Sequence, residues 1–176
     1  MGLNFSGLLM DVIGIFILLA VLGGLVFGLV YTIRLLLKII NLRQPQTTRY
    51  CIIMVICILI ASASWILNMG WLRLILTWFA VPFIHPIIFV VINSKALPNI
   101  IYSAKLKIYT LITYITYVLM YVFLPDGGDI GPMYTFFGLI SNDLAVNVLT
   151  VLSEVCLIAY ITFTILQITE NKKVKI

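Results

Sequence analysis

Apolar residues fall in five long runs separated by short polar stretches: 12–33, 51–68, 74–92, 108–124 and 144–168. Each run is 17 to 25 residues long. As α-helix, at about 1.5 Å per residue, that length crosses a hydrocarbon core of roughly 30 Å. In lipid every backbone N–H and C=O must be bonded internally, so a spanning run takes the helical form. The pattern predicts an all-α integral membrane protein, one membrane domain built as a five-helix transmembrane bundle with short loops.

Polar positions inside the runs recur at helical spacing and mark faces. In 12–33, Ala20, Gly24 and Gly28 form a strip of small residues where another backbone can approach closely. It suits contact with a helix of the same chain or with a second copy. In 51–68, Cys57, Ala61, Ser64 and Asn68 make a small, weakly polar stripe. In 108–124, Thr110, Thr113, Tyr114, Tyr117 and Tyr121 share one face. Hydroxyls in lipid need acceptors, so this face is expected to look into the bundle, for interhelical bonding or as a hydroxyl-lined pathway. In 144–168, Asn147, Thr150 and Glu154 continue a stripe that begins at Asp143.

The run 74–92 is unusual. It holds the single histidine, His85, between Pro82 and Pro86. Proline lacks an N–H, so inside a helix Pro82 would leave the Trp78 carbonyl unpaired and Pro86 would leave that of Pro82. The expectation is a kinked helix with His85 at the kink. It would be either a polar site at mid-membrane or a packed bend whose carbonyls bond to Thr77 or to a neighbouring helix.

The connections sort by charge. Ten of the eleven Lys and Arg residues lie in the basic segments 34–50, 93–107 and 169–176, and only Arg73 lies elsewhere. With five spans these three segments share one side. The positive-inside rule makes that side cytoplasmic, with the N-terminus outside and the C-terminus inside. Asp11, Asp126, Asp129 and Asp143 then fall outside, which agrees. Trp65, Trp71 and Trp78 gather at the turn 69–73 and mark a membrane boundary. The basic residues of 34–50 are expected to meet anionic lipid head groups at the cytoplasmic face. Pro45 is expected to end the helical continuation of the first run. The acidic external loop 125–143, rich in Gly and Pro, reads as a solvated turn, with 133–140 interfacial or re-entrant. Ser141-Asn142-Asp143 reads as a helix N-cap.

Composition narrows the class. The chain is 63% apolar and 10% charged, against about 45–50% and about 25% in soluble domains. The net charge of +5 is explained by the topology, and no nucleic-acid partner is expected. Cys51, Cys57 and Cys156 lie in apolar runs without a C-x-x-C, which suggests neither a disulfide framework nor a metal site. The start Met1-Gly2-Leu3-Asn4-Phe5-Ser6 fits a short myristoylation pattern that the inferred outside location disfavours. No charged n-region precedes the first run. One histidine and no H-E-x-x-H argue against a metalloenzyme, so no cofactor and no enzymatic activity are expected.

Counted from their span starts, His85 and Glu154 lie at one depth, about 15–17 Å below the outer boundary. The candidate intramembrane polar site is therefore His85, Glu154, Asn147, Thr150, Tyr114 and Tyr117. Two functions follow. The first is a non-enzymatic protein of the cell membrane, with the look of a bacterial cytoplasmic one. It would act through lipid, a second copy or a membrane-protein partner, as an accessory, immunity or stress protein. The second is a small proton- or ion-coupled transporter or channel using Glu154 and His85.

Overall fold

The computed structural model describes residue 34 and residues 45–68, 70–127 and 131–174. The run 12–33 with Ala20, Gly24 and Gly28 lies outside the described residues, as does Asp129. Five helices are described: α1 (Pro45–Leu67), α2 (Trp71–Trp78), α3 (Val81–Ala96), α4 (Ala104–Phe123) and α5 (Asp143–Val174). A 3-10 turn, Leu97–Asn99, follows α3. Among the described residues there are no strands, only the isolated bridges Asp126–Tyr134 and Thr135–Ile140. Four stretches are long and apolar enough to cross a membrane: Pro45–Leu67, Val81–Asn99, Ala104–Phe123 and Asp143–Val174. They correspond to the last four apolar runs.

The helices overrun the apolar stretches at their basic ends, because Lys and Arg are good helix formers and continue the turn. Pro45 is the first residue of α1, where a missing N–H costs the helix nothing. Thr47 and Cys51 are already buried there.

The run 74–92 is not one kinked helix. It is split at Phe79–Ala80 into α2 and α3. The N–H groups of Phe79 and Ala80 close back on Ile75 O and Thr77 O, and Ala80 turns the chain with a left-handed φ of 56°. Pro82 therefore sits in the first turn of α3, where its ring is pre-set for the helix and no bond is lost. Only Pro86 is inside a helix. Thr77 does not serve the break: its hydroxyl donates to Arg73 O at 2.6 Å and accepts from Trp65 Nε1 at 3.1 Å.

Helix α5 packs mainly along α4, and α4 packs on α1. Three bonds set the antiparallel register of α4 and α5. Ser153 Oγ donates to Met120 O (2.8 Å), Gln167 Nε2 to Thr110 Oγ1 (2.8 Å) and Ser103 Oγ to Glu170 Oε1 (2.9 Å). Residues 153–170 thus lie along the whole of α4, and the first turns of α5 run on past its end. Asn142 Oδ1 accepts from Ala145 N, so Asn142 caps α5. Lys95, Lys105, Lys107, Lys172 and Lys173 collect where α3 ends and α4 begins. Arg73, Asp126 and Asp143 lie at the opposite end.

Candidate functional site

The hydroxyl face of α4 looks inward. Thr110, Thr113, Tyr114, Tyr117 and Tyr121 are all buried. His85 on α3 lies among these rings, with centroids 5.3 Å from Tyr117, 5.6 Å from Tyr121 and 5.1 Å from Tyr160 of α5. Its Nδ1 shares a 2.5 Å hydrogen bond with the Tyr121 hydroxyl. Phe89, one turn on, stacks on Tyr117 at 3.9 Å. The hydroxyls of Tyr114 and Tyr117 are buried without a partner among the described residues. Thr113 bonds back to Tyr109 O. The cluster joins three helices through one imidazole and several rings.

Glu154 is not part of it. Tyr160, the α5 residue at His85, is six positions further along the helix, about 9 Å at 1.5 Å per residue. No hydrogen bond or ion pair joins His85 to Glu154 among the described residues. The buried stripe of α5 is Val146, Ser153, Tyr160, Thr164 and Gln167. At about 100° per residue, Glu154 is a quarter-turn off that stripe and is exposed, as are Asp143 and Asn147. Thr150 is half-buried and bonds back to Val146 O. The expected equal depth also fails. It counted span three from residue 74, which belongs to α2, and span five from residue 144, which lies beyond the end of α4. Glu154 adjoins Ser153, level with Met120 near that end.

A cleft of 320 Å³ opens between α1, α2, α3 and α4. Ala61, Trp65, Thr77, Pro82, Pro86 and Tyr121 are among its walls. Its lining is mostly apolar, with the hydroxyl residues Ser62, Thr77, Tyr117 and Tyr121 among it, which suits an acyl or other apolar group. Among the described residues no three His, Cys, Asp or Glu side chains come together as metal ligands.

The polar centre that sequence reasoning missed is at the end of the bundle. Loop 125–143 is not simply a solvated turn, because Asp126 is 3% exposed. Its carboxylate accepts from the N–H groups of Gly70 (3.0 Å), Leu72 (3.0 Å), Arg73 (2.8 Å) and Gly127 (2.9 Å). Trp71 N donates to Gly127 O. The free donors at the start of α2 are thereby satisfied from another part of the chain, at the helix end that favours an anion. Arg73, fully buried, donates to Ser64 O, Tyr121 O and Leu124 O at the ends of α1 and α4. A cation suits those helix ends. Its Nε is 4.0 Å from Asp126, and its guanidinium lies 5.6 Å from the Trp65 ring. Burial draws the Arg73 guanidinium down to about 10 against the pull of Asp126, so it stays charged at neutral pH. Asn68 Nδ2 donates to Leu124 O and Tyr134 O, and Thr135 Oγ1 donates to Phe123 O. Residues 133–140 therefore close over the ends of α1 and α4, with Met133 and Leu139 outward. The available signal was a lone Arg and a nearby-side Asp flanking two apolar hairpins. The arrangement is architectural, since Asp126 and Arg73 are engaged mainly by the ends of three helices.

No protein-family model, curated protein or solved structure matches the chain.

Proposed function

We propose that this is a non-enzymatic, multi-pass protein of the cell membrane that works through a partner held along the first half of α5. The observation that carries the reading is the outward polar stripe of α5. Asp143, Asn147 and Glu154 are exposed and engage no other side chain or backbone group among the described residues. Several other polar groups are spent on helix ends and interhelical bonds, as with Asp126, Arg73, Ser153 and Gln167. A carboxylate on a membrane helix is costly unless hydrated or paired, so this stripe fits a neighbouring helix that offers a cation or hydrogen-bond donor to Glu154. By the positive-inside rule the lysine-rich end is cytoplasmic and the Arg73–Asp126 end external. A coupled transporter built on His85 and Glu154 finds no support in this geometry, because the two residues lie on different levels and faces.

The test is photocrosslinking in native membranes from a benzoylphenylalanine at Asn147, with one at Ile165 as a control. Asn147 is expected to capture one discrete protein, either another species or a differently tagged second copy, and Glu154→Gln is expected to weaken that capture. Crosslinks from Asn147 only to lipid, or only to residues 12–33 of the same chain, would refute the partner reading.

A further inference from the structure

A second cleft, of 230 Å³, opens between α3 and α5 at the lysine-rich end. Its walls include Ile92 and Lys95 of α3, with Ile168 and Lys172 of α5. These two helices run in the same direction. On both, the isoleucine precedes the lysine by about one turn toward the middle of the bundle. The cleft thus has an isoleucine below and a lysine at its mouth on both walls, with the amides of Gln167 and Asn171 also in its lining.

Its width is fixed by bonds that do not use the ammonium groups. Asn171 Nδ2 donates to Lys95 O at 3.3 Å, and Asn171 Oδ1 accepts from Asn99 Nδ2 at 2.8 Å. Below, the fully buried Gln167 donates through Nε2 to Asn93 Oδ1 at 2.9 Å. Glu170, the carboxylate on this end of α5, is engaged by Ser103 Oγ and by Lys173 at 3.9 Å. Lys95 and Lys172 have no carboxylate partner among the described residues. Two ammonium groups over a pre-shaped slot with an isoleucine on each wall, at a membrane surface, match an anionic head group with its chain below.

We propose that this cleft binds one anionic phospholipid, with its phosphate between Lys95 and Lys172 and an acyl chain along Ile92 and Ile168. The inference is independent of the partner stripe, which occupies the other end of α5.

The experiment is native mass spectrometry of the full chain titrated with phosphatidylglycerol or phosphatidylcholine. It compares wild type, Lys95→Gln/Lys172→Gln, the charge-retaining Lys95→Arg/Lys172→Arg and a matched control, Lys105→Gln/Lys107→Gln. Thermal melting of each variant confirms equal folding. Wild type is expected to retain one phosphatidylglycerol in preference to phosphatidylcholine. The first double variant should weaken retention roughly tenfold or more, with the Arg pair and the control near wild type. Equal loss in both Gln pairs would reduce the effect to diffuse surface charge and overturn the site. Equal retention of phosphatidylcholine would overturn it as well. Displacement of the lipid by inorganic phosphate at equal concentration would make it a soluble-anion site and overturn the lipid assignment.

Discussion

Asp126 accepts the backbone N–H of Arg73 at 2.8 Å, while the terminal nitrogens of the Arg73 side chain reach the carbonyl ends of two other helices. One residue is thus held through its main chain by a carboxylate and through its side chain by α1 and α4. The two halves of this lock are not equivalent. Without Asp126, four N–H groups lose their acceptor and a buried cation loses its counter-charge, a loss of about 3–5 kcal/mol. Without Arg73, the Asp126 carboxylate also loses its counter-charge but keeps four N–H donors, and each carbonyl keeps another donor: Asn68 N for Ser64 O, Ser64 Oγ for Tyr121 O, and Asn68 Nδ2 for Leu124 O. Equilibrium unfolding in mixed micelles should therefore show Asp126→Ala well below Arg73→Met, with the latter losing about 1–2 kcal/mol.

Gly70 is required by proximity rather than by its backbone angles, since its φ of −137° is open to any residue. A Cβ there would overlap Asp126 Oδ1 and lie 2.5 Å from Gly127 N. Gly70→Ala must push loop and helix apart, and a thermal-shift assay is expected to report a loss of about 3 kcal/mol.

Ala80 offers the opposite sign. A left-handed φ costs an L-residue roughly 1–2 kcal/mol, and glycine escapes that cost at a smaller loss of chain entropy. Ala80→Gly is expected to raise stability by about 0.5–1 kcal/mol. A drop instead would mean that the α2–α3 break is not made at this residue.

Neighbouring residues on α5 test its rotation. Ser153 is buried and donates to Met120 O, while Glu154 is exposed. Ser153→Leu should lose about 2 kcal/mol through overpacking and a broken bond. Glu154→Leu should stay within about 0.5 kcal/mol. Denaturation midpoints in the reverse order would place the wrong face of α5 on α4.

His85 acts as a packing and hydrogen-bonding residue in its ring of tyrosines. His85→Phe keeps the ring and loses the bond to Tyr121, at a cost of about 1 kcal/mol. Adding Tyr121→Phe should remove the orphaned hydroxyl and recover part of it. A double-mutant cycle with no coupling between the two positions would contradict the 2.5 Å bond.

The sequence by itself determined what local periodicity and chemistry can determine. Apolar runs long enough to span a bilayer predict helices; 51–68, 108–124 and 144–168 each form one, while 74–92 is divided between α2 and α3. The spacing of Thr110, Thr113, Tyr114, Tyr117 and Tyr121 identified the inward face of α4, because burying a side of a helix is a property of that helix's own pattern. Asn142 was legible within the expected cap for the same local reason. Tertiary structure alone decided the rest. On α5, two heptad stripes lie side by side, Val146-Ser153-Tyr160-Gln167 and Asp143-Asn147-Thr150-Glu154. Only the fit against α4 chose the first. The axial register of α5 depends on bonds such as Ser153 to Met120, which no count from a span boundary contains. The pairing of Asp126 with the start of α2 spans more than fifty positions. Buried helix ends must find partners wherever the chain brings them, and that choice belongs to the assembled bundle.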